Sequence, residues 1–181
     1  IIKKLGDYDS MSTTKRKSTQ NIVIEEEKLA TFPTAKQKRE PKLKAKKKIL
    51  FVASEARPFI ATGGLADVAG SLPKYIDKKE FDVRVILPKY ECMKQQFLSD
   101  LQFVCHFYVD LNWRRQYAGV FKAEYQGITY YFIDNEYYFS GDKPYSGDTK
   151  WDIERFTFFS RAVLSSLPVI GFQPDIIHCH D

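Results

Sequence analysis

Cysteine is scarce in this chain, and the cysteines that are present form no motif. Cys92, Cys105 and Cys179 are the only three among 181 residues, and no pair has the C-x-x-C spacing. An odd number of widely separated cysteines argues against a disulfide framework and against a zinc ribbon. We therefore expect a reducing compartment, the cytoplasm.

Long apolar runs are also missing. No stretch approaches the roughly 20 consecutive apolar residues that span a bilayer, and no signal peptide is evident, so we expect no membrane partner. The hydrophobic content of 44% and aromatic content of 15% suffice for the core of one domain. Because the chain starts at Ile1 without Met and stops at Asp181 in mid-motif, we expect it to be a fragment of a longer protein.

The net charge of +5 is unevenly distributed along the chain. Residues 1–48 hold 14 Lys and Arg against 6 Asp and Glu, whereas residues 49–181 hold 14 against 17. The basic run 36–48 has almost no apolar residues and no aromatic residues that could stack on bases. We favour a solvated linker over a polyanion or localisation patch, and we expect no nucleic-acid partner.

Residues 1–47 are predicted to form a disordered basic leader or linker, because they are rich in Lys, Ser and Thr and show no sustained periodicity. A plastid transit peptide is the alternative, since such peptides are also basic and rich in Ser and Thr. The acidic triplet at 25–27 counts against that alternative.

Residues 48–181 alternate strand and helix signals. The continuous apolar run 49–53 is typical of a parallel strand covered on both faces, and a helix with apolar residues at helical spacing is predicted over 65–75, where Pro73 should end or bend it. Further strands are predicted over 82–88, 103–111, 117–125, 128–133 and 175–178, and a second helix over 151–167. The three middle strands, with a turn at Gln126 and Gly127, indicate an antiparallel or mixed insertion. The sum is an α/β domain with a Rossmann-like, mostly parallel sheet.

Two glycines follow the first predicted strand. In the stretch Thr62, Gly63, Gly64 and Leu65, glycine would let backbone N–H groups approach a phosphate at the start of a helix. A structural turn would have the same sequence, so both interpretations stay open on this segment alone. The spaced three-glycine loop of NAD-binding folds is missing, which argues against an oxidoreductase.

Several polar residues stand where strands end. The connections after Ala53, Ile133 and His178 should converge on one crevice, because ligands gather at the carboxyl ends of parallel strands. His178 and His180 would share one face of their strand, which suits a ligand contact, a structural pair or a metal pair. We expect no metal, since no further cluster of His or Cys could complete a coordination shell.

Acidic and aromatic candidates lie between the last two strands. Asp152 opens the predicted helix over 151–167, where a carboxylate could cap the helix or bind a ligand. Asn135, Tyr138 and Tyr145 follow the strand over 128–133, and the tyrosine rings could pack against a ligand or be ordinary loop residues.

Three segments together resemble one enzyme family. They are ILFVASEARPFIATGGLADVAGSLPK at 49–74, DIERFTFFSRA at 152–162 and GFQPDIIHCHD at 171–181. In this order they resemble the opening of bacterial glycogen synthases and plant starch synthases, which are retaining glucosyltransferases of the two-domain GT-B architecture. The resemblance covers residues 48–181, as the incomplete N-terminal Rossmann-like domain.

The resemblance implies transfer of glucose from ADP-glucose, or UDP-glucose, to the non-reducing end of an α-1,4-glucan, without a cofactor. It implies catalytic roles for His180 and Asp152. It implies substrate contacts from Thr62, Gly63, Gly64, Leu65 and His178. Asn135 and Tyr138 are further candidates for substrate contacts because of their place after a strand, where a tyrosine ring could line a glucan groove.

Two features count against tight donor binding and turnover by this chain alone. The family usually has lysine where this chain has Ala61, which removes a charge-assisted phosphate contact worth about 1.5–3 kcal/mol. The nucleotide pocket belongs to the family's second domain, so we expect no turnover from this chain alone. A non-catalytic glucan-binding module that scaffolds other enzymes is the alternative function.

Overall fold

The computed structural model describes residues 45–112 and 114–181 as one α/β unit. Most of the predicted leader lies outside these residues. In chain order the elements are β1 (Lys47–Ala53), α1 (Gly64–Tyr75), β2 (Phe81–Pro88), α2 (Gln95–Ser99), β3 (Gln102–Leu111), β4 (Arg114–Tyr125), β5 (Ile128–Asp134), α3 (Glu136–Phe139), α4 (Thr149–Val169) and β6 (Ile176–His180). Among the described residues, no helix combines the length and apolar character needed to cross a bilayer.

The sheet has six strands in the order β3-β4-β5-β2-β1-β6. Strands β5, β2, β1 and β6 are parallel neighbours, whereas β3, β4 and β5 pair antiparallel. The predicted mixed sheet is therefore confirmed. The β4–β5 hairpin turns through Gln126 and Gly127, both with positive φ (50° and 71°), as a two-residue hairpin turn requires.

Strand β1 is an interior strand of the sheet with a parallel neighbour on each side, β2 and β6. Leu50 and Phe51 are at most 1% exposed, and Phe51 is paired with Val85 of β2 and with His178 of β6. A strand buried on both faces needs a continuous apolar sequence, which is what 49–53 supplies.

The connection from β1 to α1 is anchored in the core by Phe59. Its ring lies 4.8 Å from the ring of Tyr130 and 4.9 Å from that of Phe132, measured between centroids. The Arg57 N–H also donates to the carbonyl of Ala66 at 3.0 Å. These contacts fix the loop that carries Gly63 and Gly64.

Some predicted element boundaries differ from the observed ones. Helix α1 begins at Gly64, one residue before the predicted start, and ends at Tyr75 as predicted. Pro73 lies inside its last turn, where it removes one N–H donor without ending the helix. Helix α4 begins at Thr149 because Asp148 caps it, with Oδ1 accepting from the N–H groups of Lys150 and Trp151.

Replacement of Gly70 by alanine tests the packing of α1 on this loop. A Cβ at Gly70 would lie 2.5 Å from the carbonyl oxygen and 2.8 Å from the nitrogen of Arg57, both backbone atoms that cannot move aside independently. We expect Gly70→Ala to lower the free energy of unfolding by about 1–3 kcal/mol in urea titrations.

Gly64→Ala on the same helix is the matched control, because a Cβ there meets no atom within 4 Å. It should leave stability unchanged or raise it by up to about 1 kcal/mol. Equal effects of the two substitutions would contradict the close approach of α1 to Arg57.

Candidate functional site

A cavity of about 480 Å³ opens at the carboxyl ends of β1 and β6. Its lining includes Ser54 after β1, Tyr145 before α4, Asp152 and Phe156 on α4, and His180 and Asp181 at the end of β6. Both residues predicted to be catalytic, Asp152 and His180, therefore border the same space.

The hydroxyl of Tyr145 joins the three connections that form this cavity. It donates to Oδ2 of Asp181 at 3.2 Å and lies 2.7 Å from Oγ of Ser54, which can then donate to it. The connections after β1, β5 and β6 do converge as predicted. Burial raises the pKa of Tyr145 above its ordinary value, which is already well above neutral pH, so its hydroxyl is a hydrogen-bond donor. Ser54 and Asp181 were not predicted as site residues, although each directly follows a strand.

The carboxylate of Asp152 is held in the first turn of α4, on the wall of the cavity. Both of its oxygens lie 3.2 Å from the backbone nitrogen of Ser146, which donates to them, and Oδ1 lies 3.4 Å from Nη1 of Arg155. Asp148 occupies the N-cap position instead, so Asp152 does not cap the helix. Its side chain remains 20% exposed and can reach a ligand.

Arg155 is a buried cation behind Asp152, with only 3% of its side chain exposed. Its Cζ lies 5.7 Å, 5.5 Å and 5.3 Å from the ring centroids of Tyr90, Phe139 and Phe156. Within the described part of the chain, Nε and Nη2 have no hydrogen-bond partner. Aromatic faces and one carboxylate therefore hold this guanidinium in place.

His178 and His180 lie on one face of β6, as predicted, with ring centroids 4.4 Å apart. Both rings contact Phe51, at centroid distances of 4.7 Å and 5.6 Å. Burial, and then the neighbouring His178, lower the pKa of His180, so its imidazole is neutral near pH 7. A neutral imidazole can both donate and accept a hydrogen bond. Across residues 45–112 and 114–181, no three His, Cys, Asp or Glu side chains group closely enough to hold a metal.

The glycine loop, Thr62 to Gly64, is hydrogen-bonded to the residue that follows Ser54 of the cavity lining. Glu55, which follows Ser54, accepts hydrogen bonds from the N–H and the hydroxyl of Thr62 at 2.5 Å and 2.8 Å. Gly63 and Gly64 are exposed, and a Cβ on either would enter open space. Gly63 is the N-cap of α1 and makes no side-chain capping bond, so no side chain of the cap residue occupies the first N–H groups of the helix, at the positive end of its dipole.

Asn135 and Tyr138 are used within the protein instead of facing the cavity. The amide of Asn135 caps α3 through the N–H of Tyr138 at 2.9 Å and donates to the carbonyl of Tyr117 at 2.7 Å. Tyr138 is fully buried and donates to Glu154 at 2.8 Å, and burial raises its pKa to about 12. These contacts give both residues a structural role and do not support direct sugar contacts.

Substitution of Arg155 by lysine tests the contacts between the guanidinium and the three aromatic rings around it. Lysine keeps the charge but loses the planar group that contacts three rings, so we expect a loss of about 1–3 kcal/mol in unfolding free energy. Arg161→Lys, at an exposed position on the same helix, is the control and should change stability by less than about 0.5 kcal/mol. An unchanged free energy of unfolding in Arg155→Lys would contradict a stabilising role for the three ring contacts.

Comparisons with known proteins agree on one family. The sequence profile of the starch synthase catalytic domain matches residues 48–181. Glycogen synthases from Lachnospira eligens and Lachnoclostridium phytofermentans are each 62% identical over 135 residues, which cover 75% of this chain and 28% of those proteins. The catalytic domain of starch synthase IV from Arabidopsis thaliana, solved with ADP and acarbose, has a TM-score of 0.61 at 30% identity and covers 76% of this chain and 28% of that one. The chain spans about 28% of the length of these relatives, and it belongs to the starch synthase catalytic domain family.

Proposed function

We propose that this chain is the N-terminal domain of a glycogen or starch synthase, which transfers glucose to the non-reducing end of an α-1,4-glucan with retention of configuration. One observation carries the proposal: Asp152, His180 and the Tyr145 hydroxyl surround one cavity at the carboxyl edge of a parallel sheet. Family membership supplies the reaction class.

ADP-glucose is the donor that we favour over UDP-glucose. The Arabidopsis relative was solved with ADP, a nucleoside diphosphate, and with acarbose, an oligosaccharide analogue. In this chain the exposed start of α1, at Gly63 and Gly64, supplies N–H groups that no side-chain cap occupies and that suit a diphosphate. The approach of the phosphates is unobstructed by side chains at these two positions.

The remaining polar groups suit a sugar. Neutral His180 can bind a hydroxyl of the transferred glucose, and Asp152 can accept from another hydroxyl while Arg155 balances its charge. Catalysis would be mainly electrostatic, with positive groups stabilising the departing diphosphate as an oxocarbenium-like glucosyl forms. No cofactor takes part in this scheme.

Turnover requires the family's second domain, so we assign it to the full gene product. Relatives of bacterial origin favour the cytoplasm over a plastid as its location, and the three free cysteines among the described residues fit a reducing compartment.

The test is incorporation of glucose into glycogen by the full gene product, with ADP-glucose and UDP-glucose supplied in parallel. We expect incorporation from ADP-glucose and a loss of at least about tenfold in His180→Ala, which removes a hydrogen bond in the site. A folded protein that binds glycogen without transferring glucose would favour the non-catalytic glucan-binding module instead.

Introduction of the family's lysine at position 61 tests whether the glycine loop binds the diphosphate of the donor. Ala61 is exposed and directly precedes Thr62 of the glycine loop, so a lysine there can reach the diphosphate. We expect Ala61→Lys to lower the KM for the donor by about ten- to a hundredfold, the equivalent of one charge-assisted hydrogen bond.

Ala61→Gln is the uncharged control of similar reach and should change the KM by less than about threefold. The same KM in all three proteins would argue that the diphosphate does not lie against this loop.

A further inference from the structure

Glu55 is a buried carboxylate that lies outside the lining of the cavity. Only 2% of the residue is exposed, and none of the ion pairs among the described residues includes it. Burial of a carboxylate is costly unless hydrogen-bond donors replace the water that it loses. Thr62 supplies two donors, its backbone N–H and its hydroxyl, and both bond to the same oxygen, Oε2. The carboxylate of Glu55 is therefore dedicated to the glycine loop.

Within the described part of the chain, Glu55 provides the only hydrogen bonds that fix the glycine loop between its two ends. All three residues of the loop are exposed. Before the loop, the N–H of Ile60 donates to the carbonyl of Ala56 at 3.1 Å, and after it the chain enters α1. Between these two points, the bonds from Thr62 to Glu55 connect the loop to the buried end of β1.

Two successive glycines make this connection important. Gly63 and Gly64 have the widest choice of backbone conformations, and a Cβ on either would meet no atom within 4 Å. Neither residue is therefore held by side-chain packing. A ligand that binds a loop without a fixed conformation loses affinity, because the loop must become ordered on binding. The bonds from Thr62 to Glu55 reduce that loss, because they order the residue next to the two glycines beforehand.

The direction of these bonds leaves the start of α1 available to a ligand. The N–H of Thr62 points at the buried carboxylate and is thereby turned away from solvent. The N–H groups that remain without a side-chain cap are those of the first turn of α1, where the helix dipole favours an anion. A carboxylate in direct contact with a diphosphate would repel it, whereas Glu55 lies on the buried side of the loop with Oε2 occupied by two donors.

Glu55 also connects the loop to the cavity. It directly follows Ser54, whose Oγ lies 2.7 Å from the hydroxyl of Tyr145 in the cavity lining. The Cα atoms of consecutive residues are about 3.8 Å apart. The end of β1 thus holds one group of the cavity and one end of the glycine loop at a fixed spacing.

We propose that Glu55 is a positioning residue for the donor. Through Thr62 it fixes the glycine loop in the conformation that receives the diphosphate, at a set distance from the cavity that receives the glucose. Glu55 itself does not touch the donor in this assignment. The inference rests on the proposed function, since it supposes a nucleotide-sugar donor.

The test measures the KM for ADP-glucose in variants of the full gene product. Glu55→Gln keeps the shape of the side chain but removes the charge that strengthens both bonds, and we expect the KM for ADP-glucose to rise by about tenfold. Thr62→Val removes one of the two donors, and we expect a rise of about three- to tenfold. The kcat and the KM for glycogen should change by less than about twofold in both variants.

Three further variants are controls. Thr62→Ser keeps the hydroxyl and should bind the donor as wild type does. Glu55→Gln/Thr62→Val should raise the KM by less than the product of the two single effects, because both substitutions act on the same bonds. Glu124→Gln is the matched control, because Glu124 also holds a threonine hydroxyl, that of Thr129 at 2.6 Å, but at the amino end of β5. It should leave the KM for ADP-glucose unchanged.

Three outcomes would overturn this role of Glu55. The first is an unchanged KM for ADP-glucose in both Glu55→Gln and Thr62→Val. The second is a lower KM in Glu55→Gln, which would show that the charge acts directly on the diphosphate. The third is a lower free energy of unfolding with an unchanged KM, which would leave Glu55 a structural role only. Thr62→Val changes an exposed residue and carries the same prediction, so the test does not depend on the folding of Glu55→Gln.

Calorimetric titration with ADP separates this inference from the proposed function. Wild type should bind ADP about tenfold more tightly than Glu55→Gln, without any transfer of glucose. If wild type neither binds ADP nor transfers glucose, the proposed function fails, and Glu55 has no donor to position. If wild type binds ADP and Glu55→Gln binds it equally tightly, only the role of Glu55 is overturned.

Discussion

The parallel pairing of β1 between β2 and β6 is the constraint on which the rest of this structure depends. It buries Leu50 and Phe51, and it brings the carboxyl end of β1 beside that of β6. That register also places Ser54 and Asp181 beside the cavity, because each comes directly after its strand. The site is therefore a consequence of sheet order more than of any local motif.

The contacts that shape the cavity come from groups that are buried or held by the backbone. Tyr145 connects three loops through one hydroxyl, and Asp152 is restrained by the Ser146 N–H on one side and by Arg155 on the other. Arg155 has few polar partners of its own among the described residues and depends on aromatic faces. Polar groups that are fixed before a ligand arrives reduce the cost of ordering them on binding.

The sequence predicts the sheet well because its signals are local. An apolar run, two residues of a hairpin turn and the helical spacing after Gly64 each identify an element without reference to distant residues. The site is predicted less completely, because contacts such as Tyr145 with Asp181 join residues 36 positions apart. Asn135 is a candidate that the sequence suggests and that the structure places in a helix cap. A polar residue after a strand can face a ligand or cap the next helix, and only the fold distinguishes these two roles.

The most direct test is a crystal structure of the full gene product with ADP and a maltooligosaccharide. The account predicts a glucose ring in the cavity between Tyr145, Asp152 and His180, with the diphosphate near the backbone of Gly63 and Gly64. A complex in which no sugar lies in the cavity and the diphosphate lies away from Gly63 and Gly64 would contradict it.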